Sequence, residues 1–340
     1  MVLTLYEKPR KCLVVGGAGY IGSHVVLTLN EAGYHVTVFD NLSTGLESSV
    51  LSPAKLIVGD LNNLDHLEEV IRNGEFDAIL HFAASIVVSE SITDPLSYYT
   101  NNVVNTINLL TLAHRYRIPR FIFSSSAAVY GITEQVPVPE TAGLFPISPY
   151  GRTKLVTEWA IQDLARSAPW FSYGILRYFN VAGCQFTSGL GGNNSRATHV
   201  IKLACQTALG KRPVFQIYGS DYPTADGTGV RDFIHVTDLS QAHLSVLNYL
   251  EDSAESSIFN CGYGQGYSVL DVIKTVQEVS GVKFPIEIVP RRIGDPPEVV
   301  ADVSSILQRT SWQPQHNDLK LIIQSAWNWE KGLMNNDSVS

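Results

Sequence analysis

Residues 12–22 read Cys-Leu-Val-Val-Gly-Gly-Ala-Gly-Tyr-Ile-Gly, an unbroken apolar run followed at once by a glycine-rich turn. A short apolar run of this kind is typical of a buried parallel strand, and the turn precedes a helical pattern over 20–32. The glycines fit two spacings, Gly17-x-Gly19-x-x-Gly22 and Gly16-x-x-Gly19-x-x-Gly22. Either spacing allows a tight turn, close approach of the backbone to a pyrophosphate and close packing of helix on strand. The stretch therefore predicts a dinucleotide site at a helix N-terminus.

The next strand-like run, 35–39, ends on Asp40. An acid at this strand end, about 20 residues after the glycines, suits the two hydroxyls of an adenosine ribose. The chain has no Lys or Arg between Asp40 and Lys55, so no nearby cation in the sequence would neutralise a 2′-phosphate. We therefore expect NAD rather than NADP as the cofactor.

Strand-like and helix-like segments alternate along the first half of the chain, which is the signature of a parallel, doubly wound sheet. The strand patterns lie at 12–15, 35–39, 55–59, 78–83, 120–125 and 173–179, and the helix patterns between them at 20–32, 64–73, 96–116 and 150–166. Shorter strands at 214–218, 232–236 and 285–289 alternate with helices at 197–210, 237–250 and 269–280. The predicted fold class is α/β, a Rossmann-type doubly wound parallel sheet with a smaller C-terminal α/β substrate lobe.

The predicted division places an NAD-binding domain at 1–180, with parts of 230–265 returning to it, a substrate-binding lobe at 181–334 and a disordered tail at 335–340. Ligands of such sheets bind at the carboxyl ends of the strands. Asp60 and Leu61 end one strand and are expected near the adenine, while Phe82 and Ala83 end another and leave room for phosphates and ribose.

A second motif consists of Ser126, at the end of a predicted strand, with Tyr150 and Lys154 in Ser-Pro-Tyr-Gly-Arg-Thr-Lys (148–154). If Pro149 opens a helix, Tyr150 and Lys154 project from the same face one turn apart. A free tyrosine titrates near pH ~10, and a nearby ammonium favours the phenolate and brings the pKa towards neutrality. Ser126 could hydrogen-bond the same substrate hydroxyl. The three residues predict a proton-transfer unit that acts while a nicotinamide transfers a hydride.

Composition restricts the class of protein. The chain has 340 residues, 45% of them apolar, and a net charge of −8, which disfavours a nucleic-acid surface. It has no apolar run of membrane-spanning length and no signal-peptide pattern in its first ten residues. Cys12, Cys184, Cys205 and Cys261 are widely spaced, so we expect buried free thiols, no metal site and a cytoplasmic protein.

Seven blocks of sequence together resemble the UDP-glucose 4-epimerase family of extended short-chain dehydrogenase/reductases. The blocks are GGAGYIGSH (16–24), DNLSTG (40–45), SSSAAVYG (124–131), SPYGRTK (148–154), LRYFNVAG (176–183), DGTGVRDFIHVTDL (226–239) and PRRIGD (290–295). The resemblance spans about residues 11–333. It implies a bound NAD and a UDP-hexose whose C4 is oxidised to a ketone and then reduced from the opposite face, with Tyr150 as the base, Ser126 relaying the proton and Lys154 holding the nicotinamide ribose.

The expected cofactor contacts are Gly16, Gly19, Tyr20, Ile21, Gly22, Asp40, Asn41, Asp60, Leu61, Phe82, Ala83, Asn101, Ser124, Tyr150, Lys154 and Tyr178. The expected substrate contacts are Ser126, Tyr150, Asn180, His199, Gln216, Tyr218, Arg231, Arg292, Asp295 and Val299. Arginine forks bind diphosphate oxygens in pairs, and an aspartate accepts hydrogen bonds from ribose hydroxyls. The resemblance also implies a homodimer that packs through the helices at 96–116 and 150–166, although their apolar side chains could equally face the sheet.

One segment departs from the family pattern, and one further position sets the expected range of substrates. Ser85, Ile86 and Val87 stand where the family often has a lysine that reaches the cofactor phosphates, so we expect weaker NAD retention. Val299 stands where the family places either a tyrosine or a small residue in the wall of the sugar pocket, which predicts room for an N-acetyl group.

Two other functions share parts of this pattern. A nucleotide-sugar dehydratase or decarboxylase has the same glycines and YxxxK but needs an acid just before Val-Tyr-Gly, where this chain has Ala127 and Ala128. A non-catalytic NAD-binding regulator could use the same fold. The intact Ser126, Tyr150 and Lys154 favour the epimerase.

Overall fold

The structure is a computed structural model, and it describes residues 10–192, 199–292 and 294–337. The strands are β1 (Lys11–Val15), β2 (His35–Asp40), β3 (Lys55–Val58), β4 (Ala78–His81), β5 (Arg120–Ser126), β6 (Ser172–Tyr178), β7 (Asn180–Ala182), β8 (Phe215–Tyr218), β9 (Val230–His235), β10 (Ser257–Cys261), β11 (Gly266–Ser268), β12 (Ile286–Val289) and β13 (Glu298–Val299). The helices are α1 (Tyr20–Glu31), α2 (Leu64–Gly74), α3 (Val88–Thr93), α4 (Pro95–Tyr99), α5 (Asn105–Arg115), α6 (Pro149–Ser167), α7 (Val200–Ala208), α8 (Val236–Ser253), α9 (Val269–Ser280), α10 (Ser304–Arg309) and α11 (Leu319–Asp337).

Seven strands form one parallel sheet in the order β10-β6-β5-β4-β1-β2-β3. Apolar side chains of α1 and α8 cover one face of this sheet, and those of α2, α5 and α6 cover the other. Such two-sided cover explains why the strands read as continuous apolar runs. The predicted doubly wound α/β fold is confirmed, and its strand order reverses beside β1, where ligands of such sheets bind.

A smaller layer is built around β9. Strand β9 pairs with β7, β11 and β13, and β8 pairs separately with β12. Helices α7, α9 and α11 pack on one another in the core of this layer. The chain then returns to the large sheet, where β10 lies beside β6. Further along, Trp312 donates its indole N–H to the carbonyl of Asp238 in α8 at 2.8 Å.

One predicted segment differs in the structure, and the predicted tail is described only in part. The helix expected over 96–116 is divided into α4, a π-helical turn at Thr100–Val104 and α5. The Asn102 carbonyl accepts hydrogen bonds from the hydroxyls of Thr106 at 2.7 Å and Thr157 at 3.3 Å, and such side-chain competition for a helical carbonyl accompanies the wider turn. Helix α11 is assigned as far as Asp337, and 338–340 lie outside the described residues, so the disordered tail at 335–340 stays a prediction.

All four cysteines are buried free thiols, as predicted. In the described parts of the chain, none of the helices combines the length and apolarity required to cross a bilayer. The cytoplasmic location stays a prediction.

Candidate active site

The glycine turn joins β1 to α1 with little room for side chains. Gly16 has a φ of +82°, and a Cβ added there would lie 2.4 Å from the Ala83 nitrogen. A Cβ on Gly22 would lie 2.3 Å from the Gly16 carbonyl oxygen, so the helix can approach the turn only without a side chain. Gly17 is also crowded, since its added Cβ would lie 2.9 Å from the Val38 side chain, so the packing calls for glycine in both spacings. Gly19 differs, because its added Cβ would meet only the Gly16 oxygen at 3.4 Å and otherwise open space among the described residues.

Asp40 closes this turn from β2. Its two carboxylate oxygens accept hydrogen bonds from the backbone N–H of Ala18 at 2.9 Å and of Leu42 at 2.8 Å. Because Asp40 is nearly buried and held by these two donors, its orientation is set before any ligand arrives. Asn41 donates to the Asp60 carboxylate at 2.8 Å, and this hydrogen bond is the main cause that lowers the pKa of Asp60. The acids of β2 and the segment after β3 thus lie together at the sheet edge.

The segment after β4 lies beneath the turn. The backbone N–H groups of Phe82 and Ala83 both donate to the Val15 carbonyl, at 2.7 and 3.1 Å. Asn101 donates to the Ser85 hydroxyl at 3.0 Å, which places its side chain beside the same segment. Ile86, at the position where a lysine was expected, is 45% exposed.

The first turn of α1 carries other predicted contacts. Tyr20 donates its phenol to the Gly183 carbonyl at 2.6 Å, so this side chain holds the loop after β7 to the turn. Ile21 is partly buried against the core, and Leu61 is buried on the opposite face of the sheet. Whether these residues contact a cofactor stays a prediction.

Helix α6 begins as the sequence predicts. Ser148 caps it by accepting the backbone N–H of Gly151 at 3.1 Å, and Pro149 occupies the first turn. The Ser126 hydroxyl, which accepts the Ala128 N–H at 3.2 Å, lies near enough to the phenol of Tyr150 to lower its pKa. Lys154 donates its ammonium to the Ser124 carbonyl at 2.7 Å, and its Nζ lies 6.0 Å from the centroid of the Tyr150 ring. The structure therefore brings the three predicted catalytic residues together.

The predicted lowering of the tyrosine pKa is wrong for this structure. Burial raises the pKa of Tyr150. The nearby Ser126 hydroxyl lowers it, but by less, so the pKa stays above its usual value. Burial also lowers the pKa of Lys154 to about 7, against the effect of the Glu158 carboxylate. The physical reason is that both groups are desolvated and the ammonium is bonded to a backbone carbonyl rather than to the phenol.

Tyr178 and Ser124 lie behind this unit. Their hydroxyls are hydrogen-bonded to each other, and Tyr178 is buried in the core with its ring 6.1 Å from that of His243. Tyr178 therefore acts in part as a core aromatic, as the sequence allowed.

Three predicted substrate residues gather around β9. Arg231 forms an ion pair with Asp295, and its guanidinium also donates to the Val230 carbonyl at 2.8 Å. Val299 lies opposite Arg231 in the register of β13 on β9, and Asn180 lies opposite Phe233 in the register of β7 on β9. The short strand β13 was not predicted, and it is this strand that places Val299 beside Arg231.

A second group lies on β8. The Arg292 guanidinium stacks on the Tyr218 ring at 3.8 Å from its centroid, and the Tyr218 hydroxyl donates to Gln216 at 3.1 Å. Gln216 in turn donates to Glu287 on β12 at 3.0 Å. His199 is exposed at the N-terminal cap of α7, beside residues that are not described, so its substrate contact stays a prediction.

The turn that carries Arg292 and Asp295 lies near the start of α6. A Cβ added to Gly294 would lie 2.9 Å from the Ile147 side chain, three residues before Tyr150. The turn with the predicted nucleotide-binding residues therefore packs close to the segment that precedes the predicted base, and their membership of one site stays a prediction.

Two contributions were missed at the level of sequence. Asn102 accepts the Ser85 backbone N–H at 2.8 Å and donates to Thr153 at 3.1 Å, which ties the segment after β4 to α6. Glu158 lies one turn beyond Lys154 and is fully buried. A signal for it existed, since Tyr150, Lys154 and Glu158 recur at intervals of four residues and so share one helix face.

Known proteins resemble the chain over nearly its whole length. A UDP-glucose 4-epimerase of Azospirillum brasilense is 46% identical over 323 residues, which cover 95% of this chain and 92% of the relative. A structure of UDP-glucose-4-epimerase from Stenotrophomonas maltophila with bound NAD and formylated UDP-arabinopyranose is 37% identical, has a TM-score of 0.93 and covers 96% of this chain and 99% of its own. The UDP-Glc/GlcNAc 4-epimerase of Campylobacter jejuni is 46% identical with a TM-score of 0.85, covering 95% and 99% of the two chains.

A family profile described as the NAD dependent epimerase/dehydratase family matches residues 12–262, which include the glycine turn, the serines of β5 and the start of α6. The chain belongs to the NAD dependent epimerase/dehydratase family.

Proposed function

We propose that the protein catalyses the reversible C4 epimerisation of UDP-hexoses, interconverting UDP-glucose and UDP-galactose through a 4-keto intermediate with transient reduction of NAD. The observation that carries this proposal is the grouping of Ser126, Tyr150 and Lys154 at the carboxyl end of β5, on the same edge of the parallel sheet as the glycine turn. Relatives at 46% identity with this activity support it. The interconversion would place the enzyme in galactose metabolism.

The glycine turn fits a dinucleotide. Gly19 leaves open space beside the first turn of α1, and among the described residues no side chain caps that helix end. Free backbone N–H groups at a helix N-terminus favour a phosphate. Asp40 presents a fixed carboxylate for ribose hydroxyls, and we propose that NAD binds here with Asn41, Asp60 and the segment after β4 around its adenosine.

When bound, NAD supplies the hydride acceptor that oxidises C4 and the hydride donor that reduces the ketone again. Tyr150, as phenolate, takes the proton of the C4 hydroxyl and later returns it, and Ser126 holds the proton between the sugar oxygen and the phenol. Lys154 acts in its charged form, since an ammonium near the phenol favours the phenolate. Because burial raises the pKa of Tyr150 in this structure, the phenolate needs the positive charge that Lys154 and an oxidised nicotinamide bring.

We propose that the nucleotide of the substrate is held by Arg231, Arg292 and Asp295, while the sugar stays free to turn. Binding energy from the UDP portion anchors the molecule during the reduction from the opposite face. Arg231 and Asp295 are paired with each other in this structure, so both would exchange that partner for substrate groups.

Val299 supports a broader substrate range. Its side chain lies beside Arg231 on a strand of only two residues and is partly exposed. A valine leaves space that a tyrosine would fill, so we propose that UDP-GlcNAc and UDP-GalNAc are also interconverted. The similar structure from Campylobacter jejuni carries the name UDP-Glc/GlcNAc 4-epimerase, in line with this proposal.

We also propose a homodimer that packs through the helices around α5 and α6. These helices expose apolar side chains, namely Leu96, Val104, Ile107 and Trp159. Exposed apolar groups of this kind mark association surfaces in soluble proteins. The proposed division of the chain is an NAD-binding domain at 1–180, to which β10 returns, and a substrate-binding lobe beyond it.

The test incubates purified protein with UDP-glucose and, separately, with UDP-galactose, and identifies the products by chromatography. Both reactions should converge on the same mixture. A 4-keto-6-deoxy product would identify a dehydratase, loss of carbon dioxide a decarboxylase, and NAD binding without any product a regulator.

A further inference from the structure

Glu158 and Arg177 form an ion pair inside the protein. Their side chains are 0% and 2% exposed, and the guanidinium donates to both carboxylate oxygens, from Nε at 3.0 Å and from the second nitrogen at 2.6 Å. Removing two charges from water is costly, and a two-point geometry with further hydrogen bonds is what offsets that cost. Glu158 lies one helical turn beyond Lys154, and the pair reaches the serine strand through the hydrogen bond that Ser125 donates to Glu158.

Further hydrogen bonds hold both members of the pair. Arg177 also donates to the Tyr130 hydroxyl at 3.0 Å and to the Glu140 carbonyl at 3.2 Å. The Tyr130 hydroxyl in turn donates a hydrogen bond to the side-chain oxygen of Asn260 on β10 at 2.7 Å. These hydrogen bonds connect α6 with three neighbouring strands of the large sheet. Arg177 lies on β6, Asn260 lies on β10, and Ser125 of β5 donates to Glu158.

The contacts with β5 repeat along the helix face. Ser124, Ser125 and Ser126 form a serine triplet, and each of its members faces one residue of α6. The Ser124 carbonyl accepts a hydrogen bond from the ammonium of Lys154, and the Ser125 hydroxyl donates to the carboxylate of Glu158. The Ser126 hydroxyl lies near the phenol of Tyr150 and acts to lower its pKa. The contacts of Ser124 and Ser126 set the geometry of proton transfer, and the contact of Ser125 is the one that the buried pair controls.

The buried pair also contributes to the electrostatic surroundings of Lys154. Lys154 is faced by Tyr150 and Glu158 from its own helix, by His81 from β4, and by the Phe123 ring and the Ser124 carbonyl from β5. Among these groups of the described chain, Glu158 is the carboxylate. Its negative charge acts to raise the pKa of Lys154, whereas burial lowers that pKa to about 7. Arg177 holds this carboxylate in place by donating a hydrogen bond to each of its two oxygens.

We propose that the Glu158–Arg177 pair is a positioning element of the catalytic centre, which holds α6 in register with the serine triplet and keeps a negative charge one turn from the Lys154 ammonium. The inference rests on the proton-transfer roles proposed for Tyr150 and Lys154. Neither Glu158 nor Arg177 touches the reacting atoms, so both act through Lys154 and Ser125.

The test uses the double variant Glu158→Gln/Arg177→Met, because a single substitution would leave an unpaired buried charge. Its kcat and KM for UDP-galactose are measured across pH, with thermal unfolding to show that it folds. The variant also removes the guanidinium, but of the two partners it is the Glu158 carboxylate that acts on the pKa of Lys154. Lys154 should therefore lose its proton at lower pH, and the alkaline limb of the kcat profile should move down by about one pH unit. We expect kcat to fall by at least about tenfold, with KM within about twofold.

Tyr130→Phe is the matched control. It removes a hydrogen bond of Arg177 but leaves both charges, so it should lower the melting temperature without moving the alkaline limb. Arg177→Lys keeps the charge that faces Glu158 and should likewise retain the wild-type limb. A folded double variant with wild-type kcat and pH profile would show that the pair only stabilises the fold.

If the double variant does not fold, Glu158→Asp decides. Its shorter side chain draws the carboxylate away from Ser125 and Arg177, so kcat should fall while KM holds, and an unchanged kcat overturns the proposal. Absence of turnover in wild-type protein and in Tyr130→Phe would instead refute the proposed function, which is a distinct result.

Discussion

At the scale of single residues, the chemistry depends on a phenol and an ammonium that the fold has removed from water. Tyr150 has its pKa raised by burial, and Lys154 has its pKa lowered to about 7 by burial. Each group alone would be poorly suited to its role. Their closeness at one end of β5 lets the ammonium favour the phenolate, which makes a reversible proton transfer feasible.

Tyr150→Phe tests the base directly. The ring and its packing stay, and only the ionisable hydroxyl is lost. We expect turnover to fall by ~10²–10⁴, the usual contribution of a general acid–base group. Melting temperature and UDP affinity, measured by calorimetry, should stay as in wild type, and near-normal turnover would contradict the assigned role.

Val299→Tyr tests the substrate range. A phenol beside Arg231 would occupy the space that an N-acetyl group needs, because overfilling a pocket excludes the bulkier ligand. Conversion of UDP-GlcNAc should be lost, while conversion of UDP-glucose persists, as product analysis with both sugars will show. If the wild-type protein converts no N-acetylated sugar even at high enzyme concentration, the proposed conversion of N-acetylated substrates is wrong, while the epimerase assignment stands.

At the scale of elements, the first β-turn-α-β unit determines which cofactor is accepted. The Asp40 carboxylate is aligned by two backbone donors of the same unit, Ala18 and Leu42. This arrangement offers acceptors to ribose hydroxyls and would repel a 2′-phosphate.

We therefore expect NAD to bind more tightly than NADP to protein stripped of nucleotide. Titration calorimetry with the two cofactors measures the difference. Equal or tighter binding of NADP would mean that Asp40 does not face the ribose.

The segment after β4 determines how firmly the cofactor is held. Ile86→Lys adds a cation at the end of this segment, so activity should survive dialysis for longer without added NAD. Val88→Lys is the control, because Val88 is as exposed as Ile86, at 45%, but begins the next helix. Equal retention in both variants would show that charge near the segment, rather than at residue 86, is responsible.

At the scale of the whole molecule, two helical surfaces remain apolar after the fold is complete. Trp159 of α6 is 52% exposed and Val104, just before α5, is 50% exposed. Both lie on the side of the large sheet that α2, α5 and α6 cover. A partner of the same kind would remove this surface from water, which is favourable by roughly 25 cal/mol per Å² of apolar area.

Val104→Glu/Trp159→Glu should convert the protein to a monomer, because burying two carboxylates in an interface is unfavourable. Sedimentation velocity measures the change. Ile288→Glu, at an apolar side chain of β12 that is 62% exposed, should leave the wild-type state unchanged. A wild-type protein that sediments as a monomer at micromolar concentration would refute the proposed dimer.

Local spacing determined much of this protein in advance. The glycine turn, Asp40 at its strand end, and Tyr150 with Lys154 depend on residues within a few positions of one another, so periodicity and turn chemistry predict them. The parallel sheet follows for the same reason, because each of its strands is a buried apolar run between helical patterns.

Only the tertiary structure decided the rest. The Glu158–Arg177 pair, the gathering of Asn180, Arg231 and Val299 around β9, and the π-helical turn at Thr100–Val104 join residues that are far apart along the chain. The fall in basicity of Lys154 has the same origin, since burial against β5 removes its ammonium from water. Such effects depend on which helices and strands pack against each other. That packing is determined by the whole chain rather than by any local pattern.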